Sequence, residues 1–456
     1  MNNIANIKLK NMKIINSLAK IILSFIVLIA SQACTSQQPE TCKLSEQELA
    51  KAPLLIKDIH FEDENLKKAI IENAVEYNYE KVSDVNYLFL NNKGIKTAKE
   101  IAYFTNLEDL EISKNELTCL DFSKNINLKE LGVNDNKLTN LNLSNLKKLK
   151  ILEANFNQLT QVDISQNIAL TLIDLQSNTL EELDVSKNTK LESLILYRNK
   201  QLTSLDVTKN IKLTWLSIGS NKIKEIDLTN NRLLESFTAR GNQLYKIDFS
   251  KCTLLTGIEI SDNKLKKINL NELLKLKSLR LSNNQISEIN ISNNTKLMYL
   301  VIDKNKIKML NVDDHIYLEE ISANDNQLMS LSTLNNPKLE ILELDNNKLK
   351  SIDISNNLFL DHLSLDNNNI KRLNLSKNNK LNFILARANG LTHIKLADTM
   401  KINLLSLGSN KLIEVTIPKN TVFEKLWITE NPLNKKTKEN LNLIIKENPN
   451  CVILME

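Results

Sequence analysis

The stretch Leu339-Glu340-Ile341-Leu342-Glu343-Leu344-Asp345-Asn346-Asn347-Lys348-Leu349, continued by Ile352-Asp353-Ile354-Ser355-Asn356-Asn357, decides the fold of this 456-residue chain. Leu342 and Leu344 alternate with Glu343, the period-two signature of a half-buried strand. Asn347 belongs to a series of sixteen asparagines that runs from Asn115 to Asn431. Every interval in the series is 21 residues except Asn199 to Asn221, which is 22 because Lys200 and Gln201 precede Leu202. A fixed period of that size means a stack of like supersecondary units.

Twenty-one residues hold a strand, turns and one more short segment, with no room for a crossover helix. The strands therefore stack into a parallel sheet. Ile352 and Ile354 around Asp353 predict a second extended segment on the back of each coil. The asparagine follows from the backbone's own needs. Where the chain turns out of the strand, buried N–H and C=O groups lose their ladder partners. An Asn side chain both donates and accepts, so a column of them can serve successive turns. The sixteen are framework, and none is a site.

The unit L-x-x-L-x-L-x-x-N-x-L, followed by x-x-L-D-x-S-x-N, resembles a bacterial leucine-rich repeat of the short nested kind, over residues 85–433. In the opening repeat Val85, Leu88, Leu90 and Ile95 fit, while Lys93 stands where Asn is expected. Ahead of it, Phe61 to Ile70 reads as a capping helix, with Asp63 as its N-cap and Leu66, Ala69 and Ile70 as its apolar face. Together with Tyr103-Phe104-Thr105-Asn106-Leu107, this opening resembles the N-terminal region of internalin-like proteins. Lys435 to Glu447 reads as a closing helix around Leu441, Ile444 and Ile445, and Cys451 to Leu454 as a last covering strand. The expected fold is a β-dominated solenoid of α/β type, a leucine-rich-repeat stack with short helical caps that cover its open ends. The resemblance implies a non-catalytic scaffold for protein recognition, with no cofactor.

The first 33 residues have the order of a secretory signal. Lys8, Lys10, Lys13 and Lys20 precede an apolar run from Ile21 to Ala30, then Ser31-Gln32-Ala33, and the run is short for a membrane span. Cys34 after Ala33 resembles a bacterial lipobox, although Ser31 replaces the usual Leu. That implies lipidation at Cys34, a membrane anchor, and a place on the cell envelope, as on an outer membrane and facing outward. A cut after Ala33 that releases a soluble secreted protein is the other reading. The expected layout is signal peptide 1–33, anchor and tether 34–55, N-terminal cap 56–84, repeats 85–433 and C-terminal cap 434–456.

The formal charge of +5 owes four lysines to the signal, so the remaining chain carries 55 basic against 54 acidic residues. Such a balance offers no overall electrostatic footprint for nucleic acid. Four further cysteines, Cys42, Cys119, Cys252 and Cys451, are too widely spaced for a metal-binding CxxC. Cys252 takes the place of a second, later Asn in its repeat and reads as a buried free thiol. No disulfide framework is expected.

The chain offers little for chemistry. His60, His315, His362 and His393 form no H-E-x-x-H, and no nucleophile elbow or phosphate loop is present. His315 also occupies the second-Asn position. Asp313-Asp314, Asp345 and Asp366 lack a calcium-binding loop pattern and read as solvated turn acids.

What remains is surface. Residues between the inward leucines line the outer face of the sheet. Asp109, Glu111, Glu130 and Asp135 make its first coils acidic. Then come Ile151, Phe156, Leu172, Ile195, Tyr197, Arg198 and Trp215, with Arg240 and Arg280 beyond. Phe383, Leu385, Arg387, Leu404 and Trp427 form a second group. Trp, Tyr and Arg dominate interface energies, so Ile195, Tyr197, Arg198, Trp215, Arg240, Phe383, Arg387 and Trp427 are the candidate contacts for a protein partner. A glycan ligand, or self-association, are the rival readings of the same face.

Overall fold

The computed structural model describes residues 42–447 and 451–455, so the segment read as an export signal and Cys34 lie outside the described residues. Eighteen strands, from Tyr87–Phe89 to Val452–Leu454, form one sheet in which each pairs in parallel with its successor. Register is locked at one coil: Ile341 faces His362, Leu342 faces Leu363 and Glu343 faces Ser364. Most strands are three residues long, with the central residue buried and its neighbours turned outward. Leu339, Leu342, Leu344, Leu349 and Leu360 are fully buried. Like residues from every coil extend them into one continuous core, each side chain contributing about 1.5–3 kcal/mol.

The framework asparagines act across coils. Asn347 Nδ2 donates to Leu344 O of its own turn at 3.1 Å and to Ala323 O of the preceding coil at 2.9 Å. Its Oδ1 accepts from Leu328 N at 2.9 Å. A second column runs through Asn125, Asn167, Asn188, Asn210, Asn231, Asn294, Asn336, Asn357 and Asn378 on the way back to the strand. Asn357 Nδ2 donates to Thr333 O and Asn336 O at 2.9 and 2.8 Å. Cys252 joins this column as a buried free thiol, with Sγ 3.5 Å from Leu228 O, and burial pushes its pKa up to about 11. His315 joins it through Nε2, 3.1 Å from Ile291 O.

The back of the coil departs from expectation. Among the described residues a strand ladder forms there only between Arg372–Asn374 and His393–Lys395. Elsewhere the Asp or Asn of the second half turns its side chain onto its own backbone, as Asp353 Oδ1 does to Ser355 N at 2.9 Å. Two tight turns follow, closed by Asn357 N to Ile354 O and Leu360 N to Asn357 O. An aspartate that binds two residues ahead favours a turn over a ladder.

The N-terminal cap is a helix, Glu64–Tyr77, with Asp63 at its N-cap. Asp63 Oδ1 accepts from Asn65 N and Leu66 N, and Oδ2 reaches Lys96 N and Thr97 N of the first coil at 2.7 and 3.2 Å. Burial opposes the charge, but these four donors outweigh it and hold the carboxyl below its usual range. Asn73 covers the open sheet edge, since its amide exchanges two 2.8 Å bonds with the backbone of Phe89. The expectation of no disulfide is corrected here. Cys42 and Cys119 are bonded across a sequence separation of 77, and Cys42 is buried. The stretch read as a tether thus already contains a buried cystine and a short helix, Glu46–Ala50, capped by Ser45. Closing a loop of that length stabilises a fold by about 4 kcal/mol on chain-entropy grounds. At the far end the helix Lys435–Glu447 and the strand Val452–Leu454 close the stack.

Candidate recognition face

Each coil presents three outward positions along its strand and turn. In one coil they are Ile341, Glu343 and Asp345. Ladder pairing aligns them into columns about 4.8 Å apart per coil. The residue just before each framework Asn has positive φ: Asn346 at 55°, but also Phe156 at 52° and Arg198 at 61°. The turn requires that conformation whatever the side chain, so the framework itself thrusts Phe156 and Arg198 out of the surface.

The structure brings five of the candidates together. Ile195 ends the strand Ser193–Ile195, and Tyr197 and Arg198 follow in its turn. Tyr197 lies across Gly219 of the next coil, where a Cβ would sit 2.8 Å from the ring and 3.1 Å from Arg240 O. Glycine at that point leaves room for the ring. Arg198 stands over the Tyr197 ring, 5.3 Å from its centroid. The Tyr197 hydroxyl is held below the usual tyrosine range by a hydrogen bond with Ser220, helped by the charges of Arg198 and Arg240. Arg240 Nε donates to Asp262 Oδ2 at 2.8 Å, which fixes its guanidinium. Trp215 rises beside this group, 51% exposed between the small residues Ser193 and Ser236. Phe156, 50% exposed, stands on the turn two coils before that of Tyr197.

The second group is separate. Phe383 lies eight coils from Trp215, about 38 Å at the ladder spacing. It stacks on His362 with centroids 5.8 Å apart, and the Arg387 stem runs beside Gly408. Trp427, 39% exposed, pairs in register with Leu454 of the covering strand, so it remains partly open beside the cap.

Between the two groups lies a network that sequence reasoning missed. Asp345 and Asp366 are half-buried on this face rather than solvated turn acids. Ser364 Oγ donates to Asp345 at 2.7 Å, and Ser322 Oγ lies between two carboxylates, 2.7 Å from Asp303 and 2.9 Å from Glu343, with one proton to donate. Burial raises the Asp345 and Asp366 carboxyls above their usual range. Serines at one outward position in alternate coils, Ser322 and Ser364, each 19 residues after an aspartate of the coil before, were the signal. At the acidic start of the face, burial and neighbouring carboxylates likewise raise Asp109 and Glu111, and Glu111 folds over Gly132. Among the described residues no group of three or more His, Cys, Asp or Glu side chains is placed to hold a metal ion. No described helix is long and apolar enough to cross a membrane.

No family model matches the chain, and no curated protein does. Solved structures do. The functional domain of InlJ from Listeria monocytogenes, which includes a cysteine ladder, is 30% identical over 76% of this chain and 82% of its own, with a TM-score of 0.63. The internalin InlF of the same organism is 25% identical over 69% of this chain and 98% of its own, at 0.54. YopM from Yersinia enterocolitica, 22% identical over 90% of this chain and 86% of its own, shares the fold at 0.62. A 21-residue solenoid, a helical cap at its head and this degree of identity to InlJ together place the chain in the internalin-like family of bacterial leucine-rich-repeat proteins.

Proposed function

We propose that this protein is an exported, non-catalytic recognition scaffold, lipid-anchored at Cys34 on the bacterial envelope, that binds a protein partner through the outer face of its sheet. One observation carries the reading. Tyr197, Arg198, Trp215 and Arg240 converge on neighbouring coils of that face, with the ring of Tyr197 laid over Gly219. Large rigid aromatics beside fixed guanidinium groups bury much area at small entropic cost, the usual chemistry of an interface hot spot. Ile195 supplies the apolar floor. Phe383, Arg387 and Trp427 form a second contact area toward the C-terminal cap.

Export has support of its own. The Cys42–Cys119 cystine belongs to an oxidising compartment. Similarity to InlJ and InlF favours a protein partner.

The test is capture from host and bacterial surface extracts, comparing the wild type with a Tyr197→Ala, Trp215→Ala double variant of equal thermal stability. A protein held by the wild type and lost by the variant is the expected result. Equal capture by both would move the site off the central group. Capture abolished by simple polysaccharides would transfer this face to a glycan.

A further inference from the structure

The turn that leaves each strand forms a second long side of the solenoid, and its sequence has a period of its own. The residue after each framework Asn reads Lys222, Gln243, Lys264, Gln285, Lys306, Gln327, Lys348. Two residues on, every one of those lysines is followed by another, Lys224, Lys266, Lys308 and Lys350. The pattern repeats every 42 residues, which is two coils. The framework asks only for a period of 21, and these positions point to solvent, the lysines exposed and the glutamines half-buried. The alternation therefore serves something other than folding.

Backbone bonds set the spacing of this edge. Gln243 N donates to Ile223 O, Lys264 N to Leu244 O and Gln285 N to Leu265 O, at 2.8–2.9 Å, and the series continues through Lys348 N to Leu328 O. Successive Lys-x-Lys steps thus stand two ladder spacings apart, about 9.6 Å. None of the eight lysines forms an ion pair among the described residues. Lys222 leans on the neutral Gln201 at 2.8 Å. Of the nearby acids, Glu225 is taken by Lys246 and Tyr245, Asp262 by Arg240, and Asp303 and Asp345 by serines of the front face. That leaves Glu288 on the edge, Asp325 toward the front rim, and Asp227, Asp248 and Asp353 turned onto their own backbone at the back. The edge is a row of unneutralised cations on a protein that is otherwise close to electrical balance.

We propose that this edge binds a linear acidic polysaccharide that carries one anionic group per disaccharide, one unit to each Lys-x-Lys step. A disaccharide of an extended β-linked chain spans nearly the same length as two coils. Its acid would meet the lysine pair, and its neutral sugar the intervening Gln carboxamide, which both donates and accepts. At Gln243 the exposed Tyr245 ring adds an apolar surface for a sugar face. Duplex nucleic acid, with a charge every ~1.7 Å, has no matching two-coil step.

Hyaluronan oligosaccharides of about ten sugars, which outspan four steps at the ladder spacing, are the probe, titrated into the full-length protein at about 50 mM salt. Binding that weakens as salt rises is expected. Replacing Lys264, Lys266, Lys306 and Lys308 by Gln is expected to weaken it roughly tenfold or more through lost counterion release. A second variant, Lys264→Gln, Lys266→Ser, Gln285→Lys and Ser287→Lys, keeps the charge but breaks the two-coil period, and is expected to lose several-fold. In the unmutated protein, bound hyaluronan should protect Lys264 and Lys306 from acylation. Absence of binding, equal binding by the charge-conserving variant, or tighter binding of an oligonucleotide of equal charge would overturn the proposal.

Discussion

The two asparagine columns of this solenoid look alike in sequence and differ in what they bear. In the first, Asn221 apart, both ends of the carboxamide are used: Asn284 donates to Ile260 O and Leu281 O, and its oxygen accepts from Leu265 N. In the second, Asn294 donates to Leu270 O and Leu273 O, while its oxygen is buried without a partner, as are those of Asn125, Asn167, Asn188, Asn210, Asn231, Asn336 and Asn378. The first column is Asn in all sixteen coils. The second accepts Leu146, Cys252, Leu273 and His315. A position that needs a donor and an acceptor has one natural occupant, whereas a position that needs only a donor tolerates substitutes and, at two coils, none.

Three measurements test that contrast. Asn284→Ala strands a buried N–H and two carbonyls, and at about 1–3 kcal/mol per orphaned group the expected loss is about 4 kcal/mol. Chemical denaturation would read it, and a loss below that of the second-column variant would end the comparison. Asp63→Ala asks whether the capping helix does the same work where the column stops, one coil before Asn115. Its expected cost is about 2 kcal/mol, the upper range for an N-cap. Because the folded pKa of Asp63 is lowered, its contribution is full above the unfolded value near 4 and is lost as pH falls through the folded one. Wild type and variant should therefore converge in acid, and a gap independent of pH would mean that packing, not the carboxylate, is at stake. Asn294→Leu, which copies Leu273 one coil away, should cost only about 1 kcal/mol, since one orphaned oxygen leaves with the donor.

Much of this was legible beforehand, because a period multiplies every signal sixteen-fold. The strands, both columns, the role of His315 and the capping helices all follow from spacing and residue type. The cystine did not. Cys42 lies outside the period, and Cys119 stands at an outward position held by Asn140, Gln161 and Glu182 in the next coils. A lone cysteine in a polar column was the clue. The second duty of Asp63 and the seating of Tyr197 on Gly219 depend on which coil lies next to which atom, and side-chain reach of that kind has no sequence period. The turn at Asp353 was misread because alternation of Ile352 and Ile354 outweighed the aspartate between them, although that aspartate governs the backbone.

Every framework amide reaches back to the coil before it, so the stack has a direction, like a pile of cups. Sever it anywhere and each cut surface shows backbone N–H and C=O groups awaiting partners, in an order complementary to the other surface. Each surface is the natural mate of its opposite on another copy, a head-to-tail contact that does not close and grows fibres. Asn73 on the Phe89 backbone, and the short strand Val452–Leu454 with the Lys435–Glu447 helix beside it, are insulation against that outcome. They keep the molecule finite.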